Sequence, residues 1–75
     1  MNWQDFIKTT SGIRGGKPCI VGTRITATDI LEYLAGGLTE DQIVADFPSL
    51  QIDHIRPILA YAAERERRYV FNSAA

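Results

Sequence analysis

The stretch LTEDQIVADFPSLQIDHIRPIL, residues 38–59, constrains this chain most, because it reads as two helices joined by a tight turn. Thr39 followed three residues later by Gln42 is a capping box, in which each side chain satisfies a backbone N–H that the helix start leaves unpaired. A helix therefore starts at Glu40. Ile43, Val44 and Phe47 recur at helical spacing until Pro48, which has no N–H and disfavours a helical Phe47. A further helix follows within a few residues, and its Ile55, Ile58, Leu59 and Ala62 fall at steps of three and four, a stripe able to bury against the first. Two short helices with a turn of about three to four residues make the helix-turn-helix unit that many DNA readers use. Val44 and Pro48 stand where such units usually place a very small residue and a glycine. A plain three-helix bundle produces the same pattern.

A chain of 75 residues is one domain, of a size that buries only about 60% of the surface its unfolded form exposes, so dimerisation is the simplest added source of stability. Apolar residues make up 45% and charged residues 23%, which is ordinary for a folded chain. No apolar run approaches the roughly 20 residues that span a bilayer, and MNWQDFIK is no basic leader followed by an apolar stretch, so a cytoplasmic chain is expected, without a membrane partner. The formal charge of −1 supplies no global attraction for nucleic acid, so any basic patch must be local. Cys19 is the sole cysteine and His54 the sole histidine. Neither an internal disulfide nor a Cys/His zinc site is available, and no nucleophile, base and orienter occur together. The expectation is a protein that is not an enzyme, with no metal and no cofactor.

Taken in order, Trp3, Phe6 and Ile7 suit a short strand or a helical turn across the core. In IRGGKPCIVGTRI, residues 13–25, the glycines permit positive φ, Pro18 removes a donor, and Cys19, Ile20 and Val21 form a β-type run ending at a turn around Gly22 and Thr23. Arg24 and Ile25 begin a second short strand. The run from Pro18 to Val21 has few partners of its own and would present an open edge, so its partner strand is placed in another subunit of a homodimer. Gly15, Gly16 and Lys17 invite comparison with a phosphate-binding loop, but Pro18 stands where the magnesium-holding Ser or Thr is needed. TATDILEYLA, residues 26–35, is helical, with Thr26 or Thr28 as N-cap, Asp29 in the first turn and Ile30, Leu31 and Leu34 buried, and a left-handed cap is expected at Gly36 or Gly37. The last helix runs from Gln51 or Asp53 towards Tyr69. Pro57 lies inside it, a cost of up to about 3 kcal/mol unless Asp53 is the N-cap, so a kink or irregular first turn is expected. ERERR, residues 64–68, reads as a solvated helix face, and Tyr69, Val70 and Phe71 as packing on Trp3 or Phe6. The division is a β-type segment over 1–25, a three-helix bundle over 26–69 and a tail over 70–75.

Gly15-Gly16-Lys17-Pro18, Gly22-Thr23-Arg24-Ile25, a helix ending in Gly36, Leu38-Thr39 with an acidic residue, the Phe47-Pro48 break and Leu59-Ala60-Tyr61-Ala62 occur in one order. From about Ile7 to Glu64 the chain resembles the domain of unknown function 433 family, most specifically at Gly16, Pro18, Gly22, Thr23, Arg24 and Ile25. The resemblance implies a mainly α fold, a homeodomain-like three-helix (helix-turn-helix) bundle with a short N-terminal β segment. It also implies an antitoxin of a type II toxin–antitoxin pair beside a PIN-like ribonuclease toxin. Gln51 replaces the Ser or Thr expected as N-cap of the last helix, and Pro57 replaces a helix former.

Three readings follow. In the first, an antitoxin neutralises its toxin and also represses its operon; in the second the chain is a stand-alone transcriptional regulator; in the third it is a dimerising module without DNA. Operator DNA would be met by Gln51, His54 and Arg56 at the start of the last helix, with Lys17 and Arg24 on the backbone. A ribonuclease holding magnesium with clustered carboxylates would be met by Arg65, Arg67 or Arg68, whose guanidinium groups pair with carboxylates, and anchored by Tyr69 and Phe71.

Overall fold

A computed structural model describes residues 2–74, with side chains placed from residue 2 to residue 68. A 3-10 turn at Trp3–Asp5 leads into strand β1 (Ile7–Lys8), and β2 (Cys19–Ile20) pairs with it antiparallel, Ile7 opposite Ile20. Helices α1 (Ala27–Ala35), α2 (Glu40–Asp46) and α3 (Ile52–Ala74) follow. The protein is mainly helical, three helices with a two-stranded β segment near the N-terminus.

The expected inter-subunit partner for β2 is overturned. On one side β2 pairs with β1, continued by the Val21 N–H donating to the Phe6 carbonyl. On the other, Cys19 bridges Thr26 and the Ile20 N–H donates to the Ile25 carbonyl. Arg24 and Ile25 therefore form no second strand, and only Thr26 makes an isolated bridge to Cys19. Gly22, at φ 80°, turns the chain between them, and the Thr23 hydroxyl locks the turn by donating to the Ile20 carbonyl and accepting from the Ile25 N–H. The edge that motivated a dimer is thus closed within the chain.

Each helix start is set by local chemistry. Thr26, buried, caps α1 by accepting from the Asp29 N–H, which settles the choice against Thr28. Gly37, at φ 99°, ends α1, with the Leu38 N–H reaching the Tyr33 carbonyl and the Gly37 N–H reaching Leu34, the paired bonds of a Schellman cap. Thr39 and Gln42 form both halves of the predicted box, at 3.2 and 2.8 Å. The connection from α2 to α3, residues 47–51, is longer than the turn of about three to four residues usual in a helix-turn-helix, and Leu50 anchors it in the core.

The core gathers Ile7, Ile20, Ala27, Ile30, Ile43, Leu50, Ile55 and Ile58, ringed by partly buried groups that include Trp3, Phe6, Leu31, Leu34, Val44, Phe47 and Tyr61. Leu59 is not among them. Expected in the buried stripe, it is 45% exposed, while Pro57 is buried in its place. Because α3 starts at Ile52, Pro57 removes the third intrahelical bond, and burial of its ring offsets part of that loss. The helix also continues through Ala74 where a tail over 70–75 was expected, since no Gly or Pro follows Pro57 to stop it.

Candidate functional site

The start of α3 is capped by an unexpected residue. Gln51 is poor as an N-cap side chain, but its N–H donates to Nδ1 of His54 at 2.8 Å, so His54 takes the third-position role that Gln42 takes in α2. The imidazole also meets Phe6 edge to face, centroids 6.4 Å apart. His54 is therefore placed as a cap rather than projected towards a ligand. Gln51 and Arg56 are exposed, as are Ile52 and Asp53 between them.

Lys17 and Arg24 are exposed on the β segment. Among the described residues no hydrogen bond or ion pair joins either to the start of α3. Arg24 instead lines a groove of about 550 Å³ with Lys8, Thr10 and Thr23. Its carbonyl accepts from Nη1 of Arg14 at 3.0 Å, and the same nitrogen lies 3.6 Å from Asp29 of α1. Arg14 has φ 50°, an arrangement costing roughly 1–2 kcal/mol for a residue with a Cβ. Its side-chain contacts hold the loop of Gly15 and Gly16 against α1.

The C-terminal half of α3 meets the N-terminus. The Trp3 indole N–H donates to Oε2 of Glu64, and its ring stands edge to face on Tyr61 with centroids 5.0 Å apart. Arg68 donates to the other oxygen of Glu64 at 3.1 Å. Arg65 lies over the Tyr61 ring, 5.5 Å from its centroid, and donates to its hydroxyl at 3.1 Å. Beside them lies a groove of about 340 Å³ flanked by Lys8, Arg65 and Arg68, three cations against the one carboxylate of Glu64. Arg67 borders a separate recess with Gln4 and Ala60. The side chains of Tyr69, Val70 and Phe71 lie outside the described residues, so their expected packing on Trp3 or Phe6 does too. Trp3 meets Tyr61 and Glu64, and Phe6 meets His54.

Sequence reasoning named Arg65, Arg67 and Arg68 but missed Lys8, Tyr61 and Glu64. The four-residue spacings Tyr61 to Arg65 and Glu64 to Arg68 were legible; Lys8 joins them only through the sheet. Among the described residues no cluster of His, Cys, Asp and Glu could hold a metal, and no helix is long and apolar enough to cross a membrane.

Comparison with known families places residues 7–62 within the model described as "Protein of unknown function (DUF433)". The chain belongs to the DUF433 family. It is similar to the uncharacterized protein y4eO of Sinorhizobium fredii, with 31% identity over 71 residues that cover 91% of this chain and 32% of that protein, so the DUF433 chain spans about a third of its relative's length. Among solved structures, a DUF433 member from Anabaena variabilis superposes with a TM-score of 0.78 at 24% identity, covering 96% of this chain and 71% of that one, a likeness of fold.

Proposed function

We propose that this DUF433 protein is a cytoplasmic antitoxin that neutralises a PIN-like ribonuclease toxin by protein–protein binding, through the C-terminal half of α3. The observation supporting this reading is the groove of Lys8, Arg65 and Arg68. Arg65 is held on Tyr61 and Arg68 on Glu64 before any partner arrives, which lowers the entropy lost when a guanidinium meets a carboxylate. Clustered carboxylates that hold magnesium are a fitting counterpart. Arg67, Tyr69 and Phe71 extend the same arm.

The test is co-expression and pull-down with the product of the neighbouring gene, followed by growth rescue. Deleting everything after Glu64 abolishes neutralisation under this reading, and a truncated chain that still rescues growth places the contact elsewhere.

Autoregulation of the operon is the second part of the proposal, favoured by the exposure of Gln51 and Arg56 on the first turns of α3. A mobility shift on the upstream DNA over a salt series tests it, with Arg56→Ala weakening binding by roughly 1–3 kcal/mol if it contacts a guanine. A shift with no protein partner favours a stand-alone regulator. Neither a shift nor a toxin leaves a dimerising module.

A further inference from the structure

The buried face of α3 accounts for Ile55, Pro57 and Ile58, yet the helix bears a second stripe that nothing among the described residues covers. Ile52, Arg56, Leu59, Ala63 and Glu66 are all exposed, with Ile52 at 38% and Leu59 at 45%. Their spacing alternates four, three, four, three, which is the a and d pattern of a helix–helix seam. By helical spacing this stripe lies on the side of α3 opposite Arg65 and Arg68, so it is separate from the cationic groove.

We propose that this stripe is the seam of a homodimer in which two copies of α3 pack antiparallel about Tyr61. Laid that way, Arg56 of one copy stands opposite Glu66 of the other, five residues either side of the centre. Leu59 stands opposite Ala63, two residues either side. Leu59 meets a small residue and Arg56 meets an acid, and the two-fold axis repeats both pairs. A parallel pairing would set Arg56 against Arg56 and Glu66 against Glu66, like charges in a partly desolvated seam. The two orientations therefore differ in charge and not in apolar content, and charge selects the antiparallel one. The seam and a DNA groove compete for Arg56, so the DNA contact proposed above belongs to the undimerised chain.

Sedimentation equilibrium on the full chain, at tens to hundreds of micromolar, tests the seam without toxin or DNA. The unmodified chain forms a dimer. Arg56→Glu alone and Glu66→Arg alone each weaken it by about tenfold or more, and the two changes combined restore it, with circular dichroism confirming that each variant is folded. Three results overturn the proposal: a folded monomer at every concentration, a dimer indifferent to both single changes, or single changes that weaken a dimer which the double change leaves weak.

Discussion

The two halves of α3 are one continuous helix held by unlike means. The first half is fastened by core packing, with Ile55, Pro57 and Ile58 enclosed by α1, α2 and the β segment. The second half is fastened by polar and aromatic contacts at its edge: Trp3 on Tyr61 and Glu64, Arg65 on Tyr61, Arg68 on Glu64. Apolar burial is non-directional and strong, whereas exposed ion pairs contribute little. The first half thus sets stability, and the second half is left with groups that can exchange one partner for another.

The largest effect should come from the first half. Ile58→Ala leaves a cavity where packing is complete, and a loss of about 2–5 kcal/mol is expected in urea denaturation; a loss below 1 kcal/mol would break the comparison. At the junction of the halves, Trp3→Phe keeps a ring against Tyr61 but removes the N–H from Glu64, with an expected loss of about 1 kcal/mol.

A smaller effect tests the cap. His54→Ala removes the acceptor for the Gln51 N–H and should lower stability by about 0.5–1 kcal/mol, whereas His54→Gln keeps an acceptor at the same helix position and should be nearly neutral. Equal losses in both variants would assign the imidazole's value to Phe6 instead. The smallest change in stability is expected for Arg65→Ala with Arg68→Ala, about 0–0.5 kcal/mol in the same denaturation. Under the proposed function the same double variant should fail to neutralise the toxin in the rescue assay, and that contrast is the sharpest form of the comparison.

Local chemistry made much of this legible from residues alone. Thr39 with Gln42, Thr26 with Asp29, the glycine cap at Gly37 and the stop at Pro48 each involve groups within a few positions, whose hydrogen bonds depend only on the backbone between them. His54 escaped notice as a cap because Glu or Gln is the familiar residue there, although its spacing from Gln51 matches that of Gln42 from Thr39.

What tertiary structure alone decided has a common cause, that the partner is distant or the choice lies between two equal faces. Trp3 meets Glu64 across 61 positions, and Cys19–Ile20 finds its strand partner at Ile7–Lys8. Neither pairing has a periodicity to reveal it. On α3 the sequence offers two apolar stripes, one through Ile55 and Ile58 and one through Ile52 and Leu59, with Pro57 disfavoured in the helix by local rules. Packing against α1 and α2 buried the first stripe together with Pro57 and left Leu59 outside. Helical spacing fixes which residues share a face, but only the elements that close on the helix determine which face leaves water.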